Sequence, residues 1–202
     1  MSSLLMDESA SEAGIYALLQ KYLGIEGGAC DSPDFLLIRQ NLSVVSMPQG
    51  TALIPAGIMH VYGYFMLQGA ARSYFFRDAH EVSSWFAFEG EVVGSLSCYL
   101  GQPAREQVEL LEDSLLISVH LPGLRKLSDS SLLAATLVRR ILEEYTLFLE
   151  DRLSYLQFGS AKQKLEALIR QEPDVFRRVP LTHIASYLGM SRETLSRIRA
   201  RL

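Results

Sequence analysis

One stretch of the sequence limits the possible folds more strongly than any other. From Ser128 to Phe158 the chain contains neither glycine nor proline, and Gly159 follows directly. Ser128 or Asp129 can cap a helix at its start. At about 1.5 Å per residue, a helix over 128–158 would be roughly 45 Å long, which is too long to lie against one small domain. We therefore expect this helix to join two parts of the molecule.

Two apolar stripes run along this predicted helix. The first has the spacing of a coiled-coil seam and consists of Val138, Leu142, Tyr145, Leu149, Arg152 and Leu156. The second consists of Leu133, Leu137, Ile141 and Phe148. Two apolar faces need two partners, so we predict that one stripe covers an N-terminal domain and the other forms a parallel homodimer. A single buried helix is the alternative.

The segment from Phe35 to about His120 has the pattern of a β-rich domain. Short runs rich in Val, Tyr, Phe and Trp alternate with turn residues, which predicts an all-β sandwich or roll. The runs are LSVVSM, TALI, VYGYFML, RSYFF, SSWFAF, VELLE and SLLISV, and an amphipathic helix over 12–23 precedes them. A cupin-like jelly roll is the alternative. It would need a histidine-rich metal site, but His60, His80 and His120 are scattered, so we expect no metal.

Residues 181–202, LTHIASYLGMSRETLSRIRARL, predict two short helices joined by a tight turn. The first would run from Thr182 to about Leu188 and end at Gly189, because glycine adopts the left-handed conformation of a helix stop. Ser191 is a good N-cap for the second, since its hydroxyl can accept from a free backbone N–H. The pattern is typical of a DNA-binding helix-turn-helix. An ordinary helical hairpin with a solvated basic face is the alternative.

The second of these helices contains the residues that would contact DNA in the major groove. Arg192 and Glu193 begin it and Arg197 lies one turn later; arginine is the usual partner of guanine, and glutamate can accept from cytosine. Hydroxyl side chains would bind phosphates and fix the register. The predicted DNA-binding residues are Ser191, Arg192, Glu193, Ser196, Arg197 and Thr182.

The distribution of charge agrees with this prediction. The net charge of −4 is unusual for a DNA-binding protein, but it is uneven along the chain. Residues 1–159 contain 10 Lys and Arg against 19 Asp and Glu, whereas residues 160–202 contain 9 against 4. The basic surface is thus concentrated where the predicted motif lies.

The sequence Ser-Arg-Glu-Thr-Leu-Ser-Arg-Ile at 191–198 resembles the recognition helix of the Crp/Fnr superfamily of transcription regulators. The resemblance implies that Arg192, Glu193 and Arg197 read bases. It also implies an α+β fold with three parts: a cyclic-nucleotide-binding-like β-roll (a double-stranded β-helix), a long dimerisation helix and a helical helix-turn-helix domain. The corresponding ranges are 1–127, 128–158 and 159–202.

The sequence FEGEVVG at 88–94 resembles the phosphate-binding cassette of the same superfamily. There a Gly-Glu pair, matched here by Gly90 and Glu91, begins a short helix that meets the phosphate. The cassette also needs an arginine and then a small hydroxyl residue, but Ala104 and Arg105 take these places unless the alignment slips by one. The resemblance therefore implies a degenerate effector cassette of Gly90, Glu91 and Arg105, and we do not expect cyclic AMP to bind.

The pattern is similar to a Bacteroidetes-type branch of the superfamily, which has a degenerate cassette and no C-terminal wing. The sequence ends at Leu202 without such a wing, either naturally or by truncation. The N-terminus lacks the features of a signal peptide, and no apolar run is long enough to span a membrane. Two cysteines, Cys30 and Cys98, are too few for a four-thiolate iron–sulfur cluster, so we expect no cofactor.

We therefore expect a cytoplasmic, homodimeric transcription regulator that binds a pseudo-palindromic operator in double-stranded DNA, with RNA polymerase as a further candidate partner. The sequence names no effector. Two alternatives stay open: a small-ligand-binding β-roll protein with a vestigial DNA-binding domain, and a metal-dependent enzyme of the cupin type. The sequence shows no nucleophile–base pair and no paired carboxylates, so we do not expect an enzyme.

Overall fold

The computed structural model describes residues 8–24, 32–78 and 80–200, and within them eight strands form two four-stranded antiparallel sheets. The strands are β1 (Leu42–Met47), β2 (Ala52–Ile54), β3 (Tyr62–Gln68), β4 (Ala71–Arg77), β5 (His80–Ala87), β6 (Val92–Val93), β7 (Gln107–Leu110) and β8 (Ser114–His120). The order is β1-β8-β3-β6 in the first sheet and β2-β7-β4-β5 in the second. Seven of these strands fall in the seven predicted runs, so the predicted β-roll is confirmed.

The first sheet is buried on both faces. Tyr64 and Met66 of β3 belong to the core between the two sheets, whereas Phe65 belongs to a second core beneath the N-terminal helix. Leu116 and Ile117 of β8 are divided between the two cores in the same way. Alternate residues of a strand face opposite sides, so a strand covered on both sides has a nearly continuous apolar sequence.

Helices cover the first sheet and form the C-terminal domain. They are α1 (Glu8–Leu23), α2 (Pro33–Arg39), α3 (Leu96–Tyr99), α4 (Leu121–Ser128), α5 (Leu132–Phe158), α6 (Ala161–Gln171), α7 (Val175–Arg178), α8 (Leu181–Leu188) and α9 (Arg192–Arg199). The segment that opens at Pro33 and Asp34, for which the sequence leaves a short helix or a strand open, forms α2, and β structure begins only at Leu42. Pro33 begins that helix, and the Ser32 hydroxyl accepts a hydrogen bond from the Phe35 N–H at 3.2 Å.

The long helix α5 begins later than predicted. Its N-cap is Ser131, whose hydroxyl accepts from the Ala134 N–H at 3.2 Å and donates to Asp34 Oδ2 at 2.6 Å. The predicted caps are used otherwise, because Ser128 ends α4 and Asp129 is the C-cap of that helix. Pro122 near the start of α4 favours the separate short helix.

The two stripes of α5 have different surroundings. Leu137 is buried in the core with α1 and the first sheet, and Leu133 and Ile141 pack against that core, so the second stripe is the one that covers the roll. The predicted seam is only partly free: Val138 also packs on the roll side, whereas Leu149 is 44% exposed. Two cited positions, Cys30 and the Leu156 side chain, lie outside what the structure describes, while Cys98 is buried in the core between the sheets.

Candidate functional site

The helix-turn-helix is built from α8 and α9. Gly189 ends α8 in the left-handed conformation, with φ of 66°, as the sequence predicts. Ser191 is the N-cap of α9, and its hydroxyl accepts a hydrogen bond from the Thr194 N–H at 3.2 Å. Both predicted signals therefore act where expected, and they fix the angle between the two helices.

A small apolar core holds the two helices together. Ile184 and Leu195 are fully buried in it, and Leu188 is 2% exposed. Leu165 and Leu168 of α6 complete the same cluster, which also includes Phe88 and Leu111 of the roll. The C-terminal helices therefore pack on the roll as well as on one another.

The residues predicted to read bases lie on the opposite, solvent-exposed side of α9. The side chains of Arg192, Ser196 and Arg197 are exposed and make no hydrogen bond or ion pair with the residues that the structure describes. Glu193 is also exposed, and its own backbone N–H and the Ser191 hydroxyl lower the pKa of its carboxyl group. Glu193 is therefore ionised and can act only as an acceptor. Thr182 is exposed at the start of α8.

A buried arginine of the roll ties α8 to the second sheet. The side chain of Arg72 on β4 is 2% exposed; its guanidinium lies 2.6 Å from Glu81 Oε2, 2.6 Å from Glu109 Oε1 and 2.6 Å from His183 Nδ1. Arginine has only donors, so Nδ1 of His183 must accept. Burial and the charge of Arg72 lower the pKa of His183, which favours the neutral imidazole. We call these four residues the Arg72 cluster.

Further contacts join α8 to β5. The Ser186 hydroxyl donates to the Glu81 carbonyl at 3.0 Å and accepts from the Ser83 N–H at 3.0 Å. The rings of Phe86 and Tyr187 lie with centroids 5.1 Å apart. Tyr187 also contacts Arg152 of α5. The guanidinium of Arg152 lies 3.7 Å above the Tyr187 ring and donates a hydrogen bond to the Tyr187 carbonyl. Arg152 therefore faces α8, although the sequence had placed it in the dimer seam.

Arg178 has a structural role that the sequence did not indicate. It follows Arg177 in a basic stretch that precedes the motif, where a phosphate contact would be reasonable. In the structure its guanidinium donates to Glu89 at 2.8 Å, to Glu112 at 2.9 Å and to the Gly69 carbonyl at 2.8 Å. Hydrogen bonds to Glu112 and then Glu89 raise the pKa of Arg178. Arg178 thus docks the helical domain onto the roll.

The three predicted cassette residues have different surroundings. The Gly90 N–H donates to the Met66 carbonyl at 2.9 Å, and the Glu91 carboxylate accepts from the Phe88 N–H at 2.9 Å. Strand β6 follows them directly, so the short helix expected from the resemblance is absent at this point and α3 begins only at Leu96. Arg105 is exposed and makes no hydrogen bond or ion pair with the described residues.

A cavity of 450 Å³ lies where the roll, α1, α5 and the C-terminal helices meet. Glu91 lines it, but neither Gly90 nor Arg105 is among the described residues of its wall. The missing arginine is an observation against a cyclic phosphate, which needs a paired cation. Neighbouring Ala104 is buried between the sheets, where its carbonyl accepts from the Gly57 N–H at 2.8 Å.

Two of the histidines singled out in the sequence make contacts within the protein. His60 Nε2 lies 3.0 Å from the Tyr64 hydroxyl, and His120 Nδ1 accepts from the Gly123 N–H at 3.2 Å as the N-cap of α4. Over the ranges 8–24, 32–78 and 80–200, no three or more His, Cys, Asp or Glu side chains are grouped so that they could hold a metal ion. No helix in the described part of the chain is long and apolar enough to cross a membrane.

No protein-family model matches this sequence, and no curated protein matches it. Solved structures do match. FixK2 from Bradyrhizobium japonicum is 21% identical with a TM-score of 0.70, covering 80% of this chain and 84% of its own. The c-di-GMP-responsive global regulator CLP from Xanthomonas campestris is 18% identical with a TM-score of 0.62, covering 85% and 91%. The catabolite activator protein of Thermus thermophilus is 21% identical with a TM-score of 0.53, covering 92% and 86%.

The matched structures are those of Crp/Fnr transcription regulators. At these identities the likeness establishes the fold, and it agrees with the order of roll, long helix and helix-turn-helix described above. The chain therefore has the fold of the Crp/Fnr regulators, as the resemblance of residues 191–198 implied.

Proposed function

We propose that this chain is a dimeric transcription regulator that binds a pseudo-palindromic operator in double-stranded DNA. The observation that supports the proposal most directly is the exposed face of α9. There Arg192, Glu193 and Arg197 project from a capped and buried framework, and the two arginines have no partner among the described residues. Elsewhere in the helical domain, Arg178 is fully engaged with the roll.

In this proposal α9 enters the major groove and its first turn meets base edges. Arg192 and Arg197 would each donate two hydrogen bonds to guanine, and the ionised Glu193 would accept from cytosine. Thr182, Ser191 and Ser196 would contact the sugar–phosphate backbone. Ser191 can do so only with the part of its hydrogen-bonding capacity that the cap of α9 leaves free.

The proposed dimer forms along the free face of α5. Leu142, Leu149 and Leu153 recur at intervals of seven and four residues, so they share one side of the helix. Leu149 and Leu153 are 44% and 55% exposed, which leaves apolar surface for a second copy to cover. A two-fold axis along this face would place the two recognition helices for half-sites about 34 Å apart. The proposed seam keeps Leu142 and Leu149 of the predicted stripe and replaces Arg152 with Leu153.

The proposal also covers the setting in which the regulator acts. It would act in the cytoplasm, with RNA polymerase as a further partner, and it would catalyse no reaction. The likeness in fold to transcription regulators supports this setting.

Selection of duplexes from a random DNA pool tests the proposal. The full chain should enrich a two-fold symmetric sequence, and the enrichment should be the same with and without cyclic AMP. The double variant Arg192→Ala/Arg197→Ala should enrich no sequence, because the side chains that read bases are gone. An identical enriched sequence for both proteins would show that α9 does not read DNA.

Light scattering tests the dimer. Leu142→Glu together with Leu149→Glu should halve the mass of the particle in solution, because a charge in an apolar seam is unpaired. The control is Leu147→Glu, which introduces the same charge on α5 at a site that is 63% exposed and lies off the seam. An unchanged mass for the double variant, or a halved mass for the control, would show that another surface pairs the subunits.

The cavity supports one alternative function, a small-ligand-binding roll with a vestigial DNA-binding domain. In that case the same double arginine variant would leave the regulation of every gene in the cell unchanged. Comparison of transcripts from cells with wild-type and variant protein separates the two functions.

A further inference from the structure

The cavity of 450 Å³ has the size of a small-molecule site, and residues of α1, the roll, α5 and the C-terminal helices line it. Its wall includes Tyr22 of α1, Trp85 of the roll and Tyr145 of α5. Glu172, which follows α6, and Tyr187 of α8 belong to the same wall. A molecule bound there would therefore touch both the roll and the helical domain.

The wall is mostly apolar and aromatic. The aromatic residues that line it are Tyr22, Tyr64, Phe65, Trp85, Phe86, Phe88, Tyr99, Tyr145, Phe148 and Tyr187. Aromatic faces attract apolar rings and also cations, because the face of the ring is the negative end of its quadrupole. The lining therefore suits a ligand with an apolar body.

The charge of the wall has one sign. Its charged residues are Glu89, Glu91, Glu144 and Glu172, and no lysine, arginine or histidine occurs among the described lining residues. Three cations lie just behind it and are already engaged, and one of them is Arg152, whose guanidinium lies 3.7 Å above the Tyr187 ring. Lys21 donates to Glu144 Oε1 at 2.8 Å and to the Gly90 carbonyl at 2.7 Å, and Arg178 pairs with Glu89 at 2.8 Å.

Glu91 is the wall carboxylate that makes no ion pair with the described residues. It is exposed and lines the cavity. Packing among protein atoms raises the pKa of its carboxyl group and the charges of Glu144 and Glu172 act in the same direction, whereas the Phe88 N–H and the charge of Lys21 lower it. A bound cation would stabilise the ionised form of this group, whereas a bound anion would be repelled by all four carboxylates.

One hydroxyl group in the wall also lacks a partner. Ser95 is 4% exposed, and its hydroxyl is buried without a hydrogen bond to any described residue. Buried polar groups are normally satisfied, so an unsatisfied hydroxyl beside a cavity indicates a missing partner. An ordered ligand or water in the cavity would supply it.

We propose that this cavity binds a small organic cation, an amine with an apolar or aromatic body, whose ammonium group lies against Glu91 and its neighbouring carboxylates. Binding itself does not depend on the proposed DNA function. Only a change in DNA affinity on binding would rest on that function, through contacts with Glu172 and Tyr187.

The single tryptophan of the chain gives a direct measurement, because Trp85 lines the cavity. Trp85 fluorescence of the full chain is titrated, without DNA, with phenylethylamine, phenylethanol, phenylpropionate and cyclic AMP. The first three share one apolar body and differ in the charge of the polar end. We expect a saturable change with affinity in the order amine, alcohol, carboxylate, with the amine at least about tenfold tighter than the carboxylate, since one charge-assisted hydrogen bond contributes roughly that factor.

Two matched variants test whether the charge of Glu91 is the one that binds the amine. Glu91→Gln should weaken binding of the amine by about tenfold. It should leave the affinity for the alcohol nearly unchanged, because the apolar contacts remain. Glu150→Gln neutralises an exposed carboxylate on α5 outside the cavity wall and should change neither affinity. Thermal unfolding of both variants confirms that they are folded.

The outcomes are distinct. Three results would each overturn the proposal. The first is tighter binding of the carboxylate or of cyclic AMP than of the amine. The others are equal binding of all three phenyl compounds and no saturable change with the amine. Because DNA is absent, failure here leaves the duplex selection untouched, and failure of that selection leaves amine binding untouched.

Discussion

The two helices of the helix-turn-helix have nearly the same length and opposite surroundings. On the α8 side, His183, Ser186 and Tyr187 all contact the roll or α5. On the α9 side, the side chains of Arg192 and Arg197 are exposed and make no hydrogen bond or ion pair with the residues that the structure describes. The first helix is held in place by tertiary contacts, and the second is left free for a partner. Mutations in the two helices should therefore affect different properties, the free energy of unfolding for α8 and the affinity for DNA for α9.

The largest effect is expected at the Arg72 cluster. Arg72→Ala leaves Glu81 and Glu109 without their cation and removes the donor to His183. We expect the free energy of unfolding to fall by about 2–3 kcal/mol, less than for a fully buried ion pair because Glu81 is partly exposed. Denaturant unfolding measures this change. The control is Arg77→Ala on the same strand, where the side chain is 83% exposed and a change below about 0.5 kcal/mol is expected. Similar losses for both variants would mean that α8 is not held by this cluster.

The next effect concerns α9 alone. Arg197→Ala should weaken binding to the selected duplex by about 1–3 kcal/mol and relax the base preference at one position, with no change in unfolding. Fluorescence anisotropy against matched and substituted duplexes measures both. Arg199→Ala is the control, because Arg199 lies 4.4 Å above the Phe176 ring on the side facing the protein and should not alter base preference. Equal weakening on every duplex would make Arg197 a phosphate contact.

A smaller effect is expected at Ser191, where one substitution should change both the free energy of unfolding and the affinity for DNA. Ser191→Ala removes the cap of α9 and should lower the free energy of unfolding by about 1 kcal/mol. It should weaken binding to all duplexes alike, because the whole of α9 is less well ordered. Ser196→Ala changes an exposed hydroxyl that makes no hydrogen bond to described residues and should leave unfolding unchanged. If Ser191→Ala altered only base preference, the serine would be a direct DNA contact and its role as a cap would be minor.

The smallest effect is a dependence on pH. The pKa of His183 is lowered in the folded state by burial and by Arg72, with Glu109 and Glu81 acting in the opposite direction. Below about pH 6.5 the unfolded chain takes up a proton that the folded chain resists, so this residue should reduce stability as the pH falls. The difference in unfolding free energy between wild type and His183→Gln should shrink towards low pH. A difference that stays constant from about pH 8 to pH 5.5 would show that His183 has the same pKa in the folded and unfolded states, and that its pKa is not lowered by the fold.

The fold and the exposed face of α9 could be predicted from the sequence because they follow from local patterns. The apolar runs of β3 and β8 reflect burial on both faces, and Gly189 and Ser191 act on neighbouring backbone groups. The Arg72 cluster was not predicted. Its one signal in the sequence is an arginine in the apolar run RSYFF, and its partner His183 is 111 positions away.

The sequence by itself determined where α8 ends and α9 begins, which strands are apolar and which helix presents arginines. Each of these depends on residues within a few positions of one another. Only the tertiary structure decided which charges remain free. Arg178 and Arg197 both lie in the basic C-terminal part, yet Arg178 is bound to Glu89, Glu112 and Gly69 of the roll, whereas Arg197 is exposed. The physical reason is that an ion pair depends on distance in space, and the fold brings Arg178 to two carboxylates that are 89 and 66 positions away in the chain.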